Sequence, residues 1–207
     1  MRPKDQAARR EQLAQAARRV LLERGAVGVR VKDIAQRAGL SPSSVLYYYP
    51  DIAELLLEVS RGAMQRYAEN RAGAVRAVEG AAAQLRLAIR LGVPTGPNDE
   101  ESRLLYELDA LTGTSSAFQL LSSSFFDRQV HLYESVLEGG AARGELSLAA
   151  SAETIARGFI GLEDGLGLQV VIGHPGLDSA EAERILLRYG GVMTGVSLDE
   201  ASEVARS

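Results

Sequence analysis

The sequence predicts an all-α protein in two parts: a three-helix helix-turn-helix domain over residues 1–50 and a larger helical domain over residues 51–207. Three observations predict it. Apolar residues recur at three- and four-residue spacing along most of the chain, with capping signals between the runs and no convincing strand alternation. Near the N-terminus a longer helical pattern is followed by two short ones joined by a glycine-containing turn. Residues 1–50 carry ten Lys and Arg against four acids, whereas residues 51–207 carry thirteen against twenty-three. A basic end on an otherwise acidic chain predicts contact with a polyanion, although a solvated basic helix face gives the same charge pattern.

The elements follow in order. Leu13, Ala16, Ala17, Val20 and Leu21 form one stripe of a helix over 5–24, and Gly25 suits its C-terminal end. A short helix over 31–38 turns Ile34, Ala35 and Ala38 inward. Gly39-Leu40 makes a turn in which glycine accepts a positive φ that a Cβ resists. Ser41 is an N-cap and Pro42 stands at the first helical position, where its missing N–H costs nothing. The third helix runs to about Tyr49, because the residue before Pro50 avoids the helical region. Ile34, Leu40 and Val45 supply a minimal core between the two short helices, which leaves the third one protruding. Asp51 with Glu54 is a capping box that opens a fourth helix, expected to reach about residue 71. Further helices are expected over 73–91, 99–112, 116–142, 151–172 and 179–194, the second and last opened by the capping pairs Asn98–Glu101 and Asp178–Glu181. The tail after about 195 is weakly patterned.

Several classes of function fall away. The chain has no cysteine, so disulfides, thiolate metal sites and thiol nucleophiles are excluded. It has two histidines, and His131 with Glu134 is too small a set for a metal; no metal or cofactor is expected. No apolar run approaches the ~18 residues of a membrane span, and the polar start Met1-Arg2-Pro3-Lys4 lacks a signal core, so a cytoplasmic protein is expected. There is no P-loop and no G-x-S-x-G. The glycines at 158, 161, 165 and 167 lie in a helical pattern and not after a strand, so an enzyme is not expected. A purely structural helical adaptor is the other rival, but it leaves the basic N-terminal domain without a reason.

The stretch Val31-Lys32-Asp33-Ile34-Ala35-Gln36-Arg37-Ala38-Gly39-Leu40-Ser41-Pro42-Ser43-Ser44-Val45-Leu46-Tyr47-Tyr48-Tyr49-Pro50 resembles the helix-turn-helix of the TetR family. The resemblance covers about residues 8–60. A more diffuse one, at Ala142–Leu146 and Leu162–Leu166, is to the ligand and dimer domain of BetI-like members. It implies a ligand-responsive transcription regulator, a repressor more commonly than an activator. Such a protein binds a pseudo-palindromic operator as a homodimer and is released by a small-molecule effector. The partners implied are double-stranded DNA, a second copy of the chain and an effector. Three positions depart from the family pattern. Leu46 stands where Tyr is frequent, Ile52 where a Lys often meets phosphate, and Arg30 where a Ser or Thr usually caps the second helix. The lost lysine removes roughly one phosphate contact from the salt-dependent affinity.

Residue chemistry then nominates the contacts. Ser41, Ser43 and Ser44 offer hydroxyls to phosphate or base edges, and Tyr47 and Tyr48 offer hydroxyls and ring faces. Lys32 is placed to clamp a phosphate, with Arg30 beside it and Arg9 and Arg10 reaching the flanking backbone. Tyr49 is expected in the core. For dimerisation, Ile155, Phe159, Leu162 and Leu166 alternate at four and three, and Ile185 and Tyr189 belong to the following helix. Together they suggest half of an intermolecular four-helix bundle, although the same residues can pack within one chain. Gly158, Gly161 and Gly165 form an adjoining stripe for close approach. For the effector, small residues beside aromatics in 73–142 suggest a cavity, with Arg103, Tyr106, Glu107, Phe118, Phe125, His131 and Asp164 as candidate lining residues.

Overall fold

The computed structural model describes residues 3–198, with side chains from Gln6 onward. Among these residues it is helical with no strand: α1 (Pro3–Arg24), α2 (Val31–Ala38), α3 (Pro42–Tyr48), α4 (Ile52–Arg76), α5 (Ala81–Gly92), α6 (Glu100–Asp109), α7 (Ser116–Ala142), α8 (Ala152–Val171) and α9 (Ser179–Thr194). No helix among them is long and apolar enough to cross a membrane.

The chain forms two compact units. One comprises the chain up to Arg66 with Glu100–Ser123; the other comprises Tyr67–Asp99 and the chain from Ser124 onward. The division differs from the expected boundary at residue 50. Leu55, Leu56 and Val59 of α4 and Leu104 and Leu108 of α6 are buried in the same core as Leu13, Leu21, Ile34 and Val45. Packing thus adds to the first unit three helix segments that sequence order assigns elsewhere, the first part of α4, α6 and the start of α7.

The second unit is built round α5, α8, α9 and the later part of α7. Leu85 and Ile89 pack with Tyr133, Leu137, Ile155, Phe159 and Leu186. Gly158 and Gly190 allow this closeness: a Cβ at Gly158 would meet the Tyr189 ring, and one at Gly190 would meet Leu198 and Phe159.

Three boundaries differ from expectation by several residues. Helix α4 continues through Ala72-Gly73 to Arg76, and the expected helix over 73–91 begins only at Ala81. The chain breaks at Gly80, which takes φ +85°, and the first N–H of α5 at Ala81 is capped at 2.6 Å by Glu145 Oε2. That cap comes from 64 residues away, so no local signal marks the start. Helix α6 is also shorter than the expected 99–112, ending at Asp109 before a 3-10 turn at Thr112–Thr114. The Asp178 cap on α9 is present, its Oδ1 accepting from the Glu181 N–H at 2.8 Å.

Candidate nucleic-acid interface

The turn between α2 and α3 closes locally. Gly39 takes φ +66°; its N–H donates to the Gln36 carbonyl and that of Leu40 to the Ala35 carbonyl, the paired bonds that end a helix on a left-handed residue. Ser41 Oγ accepts from the Ser44 N–H at 3.2 Å, and its hydroxyl lies within 2.9 Å of Ser43 Oγ and 2.8 Å of Ser44 Oγ. Arg30 is the N-cap of α2 without a side-chain bond, as its departure from Ser or Thr implies.

Helix α3 has two faces. Val45 and Tyr49, four residues apart, are buried; Burial pushes the Tyr49 hydroxyl's pKa up, and the Arg10 guanidinium lies 4.6 Å from its ring centre. The opposite face exposes Ser43, Leu46 and Tyr47, with Tyr47 71% accessible and edge-on to Tyr48 at 5.2 Å. Lys32 on α2 is exposed as well. Side chains of α1 hold this arrangement. Gln12 Nε2 donates to the Ala38 carbonyl at 2.8 Å, and Arg10 Nη2 donates to the Tyr48 carbonyl at 3.1 Å. Each satisfies a carbonyl at the C-terminal end of a short helix.

The positive charge of the N-terminal segment is smaller in effect than its count. Arg10 also meets Glu58 at 3.5 Å, Arg24 pairs with buried Asp33 at 3.2 Å, and Arg37 pairs with Glu23. Arg10 thus anchors the helix-turn-helix where DNA contact was expected of it, and Arg9 bonds to Gln12 at 2.7 Å. Arg30 and Lys32 form no ion pair with another described residue.

The expected effector residues are divided between the two units. Arg103 and Glu107, one turn apart on α6, clasp the end of α1: Arg103 Nη2 donates to the Leu22 carbonyl at 3.1 Å, and Glu107 Oε2 accepts from the Ala26 N–H at 2.8 Å. Tyr106 and Phe118 also belong to the first unit, Phe118 in its core. Phe125, His131 and Asp164 belong to the second. Phe125 packs on Tyr67 at 5.8 Å, His131 stands exposed 3.5 Å from Glu134, and Asp164 is exposed. The expected dimer seam is also revised. Ile155 and Phe159 are fully buried in their own unit, Phe159 stacked 4.4 Å from Tyr133, so neither has surface to offer a partner. Leu162, Leu166, Ile185 and Tyr189 are half-buried, while Leu168, Ile172 and Val192 are exposed.

One polar centre was missed. Arg71, in the second unit, is buried. It donates through Nε and Nη2 to the Ala88 carbonyl, through Nη1 to Gln129 Oε1 at 2.9 Å, and through Nη2 to Glu163 Oε1 at 2.5 Å. The Tyr133 hydroxyl donates to the same carboxylate. Burial pushes the Glu163 carboxyl up, an effect that the Arg71 guanidinium and the Tyr133 hydroxyl oppose without cancelling it. The signal was a single arginine on the apolar stripe Met64, Tyr67, Ala68, Val75 of α4.

The chain has clear relatives. A model of bacterial regulatory proteins of the tetR family matches residues 13–59, and a model of the C-terminal part of BetI-type transcriptional repressors matches residues 81–190. A search of curated proteins matches none. Among solved structures, a transcriptional regulator from Saccharomonospora viridis in complex with choline is 22% identical with a TM-score of 0.83, over 91% of this chain and 98% of that one. A TetR-family regulator from Rhodococcus sp. is 22% identical at 0.77, over 90% and 98%. A TetR regulator from Haloarcula marismortui is 22% identical at 0.77, over 91% and 99%. At these identities the structural likeness establishes the fold.

Proposed function

The chain belongs to the TetR family of bacterial regulatory proteins, as a DNA-binding transcription regulator, and on that premise we propose that it is a ligand-responsive repressor that grips a pseudo-palindromic operator as a homodimer. The observation that carries this reading is the divided character of α3: Val45 and Tyr49 anchor one face while Ser43 and Tyr47 stand in solvent on the other. In this reading Tyr47 and Ser43 face the groove. Lys32 and Arg30 take phosphates, Tyr48 contacts the sugar backbone, and Ser41 with Ser44 holds the helix end in place.

One such module spans few base pairs, so useful affinity needs two on a two-fold axis. We assign the second contact to the exposed faces of α8 and α9. Gly161, Gly165, Leu168 and Ile172 recur at four, three and four, and Ile185, Tyr189 and Val192 at four and three, which is the spacing of a helix seam. A Cβ at Gly161 or Gly165 would meet nothing within 4 Å, which leaves room for a partner helix.

Ligand sensing falls to the second unit. The relative from Saccharomonospora viridis carries choline. In this chain the buried carboxylate and aromatic rings suited to a small cation already hold one, the Arg71 guanidinium 5.2 Å from the Tyr133 ring centre and 6.0 Å from that of Tyr67. A choline-like cation at that place must displace Arg71, and we therefore assign the effector a different chemistry. Selection of bound duplexes from a random pool tests the function. An inverted repeat with half-sites about 34–36 Å apart, or a multiple, is expected; recovery of unrelated sequences contradicts the reading.

A further inference from the structure

We propose that the groove between α4 and α7 in the second unit binds an organic carboxylate with an aliphatic tail. The groove has a volume of about 700 Å³. Its floor is apolar, formed by the buried side chains of Ala68, Val75, Leu132 and Val136 with Ala72 between them. From Ala68 to Val75 the floor runs about 10 Å along α4, the length of a chain of roughly eight carbons.

Its rim is cationic. Arg76, Arg128 and Arg143 line it, together with the His131 imidazole, against one acid, Glu69. Arg143 is neutralised by Glu145 at 2.5 Å, and His131 faces Glu134 at 3.5 Å. Arg76 and Arg128 form no ion pair with another described residue, although residues 51–207 hold more acids than bases. Two unmatched guanidinium groups above an apolar floor fit an anion with a tail, and disfavour a cation of the same shape.

Gln129 adds a directed donor. It is buried yet lines the groove, and it receives Arg71 Nη1 at 2.9 Å. An arginine only donates, so the Gln129 atom that faces it is the amide oxygen, and the amide NH2 is left for the groove. A carboxylate bonded there sits one residue away from the Arg71–Glu163 pair, which joins α4 to α8. Occupancy of the groove therefore reaches the helix assigned to dimerisation through a single hydrogen-bonded side chain.

The binding claim stands on the groove alone; its effect on DNA rests on the regulator reading. Calorimetric titration of the full chain at low salt tests it with octanoate, hexanoate, inorganic phosphate and octyltrimethylammonium. Octanoate is expected to bind once per chain and hexanoate more weakly, by up to about fifteenfold for the two methylenes. Phosphate, which has no tail, and octyltrimethylammonium, which has the opposite charge, are expected to bind at least tenfold more weakly than octanoate. Arg76→Gln with Arg128→Gln, both at exposed positions, is expected to weaken octanoate at least tenfold with no change in thermal midpoint. No octanoate binding, equal binding of the ammonium analogue, or an unchanged double variant overturns the assignment. DNA retardation on the same preparations separates the two readings. Retarded DNA without octanoate binding removes the groove site and leaves the regulator; octanoate binding without retarded DNA does the reverse.

Discussion

The turn between α2 and α3 and the buried pair at Arg71 and Glu163 are both polar features set among apolar helices, yet they are held in different ways. At the turn, the bonds Leu40 to Ala35, Gly39 to Gln36 and Ser44 to Ser41 each span no more than six consecutive residues. At Arg71, the partners Ala88, Gln129, Tyr133 and Glu163 lie 17, 58, 62 and 92 residues away. A local device fails by degrees, one bond at a time. A closed long-range cluster strands a buried charge when any member is lost, and the penalty is large.

The sharpest way to break the comparison is Glu163→Leu, which leaves the Arg71 guanidinium uncompensated. Urea unfolding is expected to show a loss of about 3–5 kcal/mol, and adding Arg71→Met is expected to recover most of it. A double variant no more stable than the single one contradicts the view that the unpaired charge, and not lost packing, is the source.

At the turn the expected effects are smaller. Gly39→Ala places a Cβ at φ +66° and is expected to cost about 1–2 kcal/mol by the same measurement. Because nothing lies within 4 Å of that Cβ, Gly39→Asn, which tolerates the left-handed region, is expected to cost less; equal losses would point to packing. Ser41→Ala removes the cap of α3 and is expected to cost about 1 kcal/mol, with Ser41→Asp retaining most of the stability.

The smallest effect concerns acid. The Arg143 hydrogen bond, followed by the Ala81 N–H, holds the Glu145 carboxyl below its ordinary value. Its contribution is therefore present at neutral pH and disappears as the pH falls through that lowered value. Thermal melts between pH 7 and pH 3 are expected to show a slightly flatter acid side for Glu145→Gln than for the parent chain; identical curves would remove Glu145 as a cap of α5.

The same contrast explains what could be read from the sequence. The helix-turn-helix was legible residue by residue, because Gly39, Ser41, Pro42 and Pro50 act through their own backbone. Tyr49, expected in the core, is buried in the same cluster as Val45. What sequence order conceals is which distant group completes an element. Glu145 starts α5, and Arg103 with Glu107 clasps α1 although both were nominated for a ligand. Arg10 looked like a phosphate contact and instead holds the Tyr48 carbonyl. The heptad spacing of Ile155 and Phe159 is real, but it is filled by their own unit's core, and the neighbouring stripe through Leu168 and Ile172 is the one left exposed. Spacing identifies a helix face without naming what covers it.

The most direct test of the account is fluorescence anisotropy of a selected operator duplex with the Tyr47→Ala, Lys32→Ala double variant, alongside its sedimentation velocity. Both side chains are exposed, so the variant is expected to remain a folded dimer and to lose at least a hundredfold in operator affinity. A folded dimer that binds the operator as tightly as the parent chain would contradict the assignment of the exposed face of α3 to DNA.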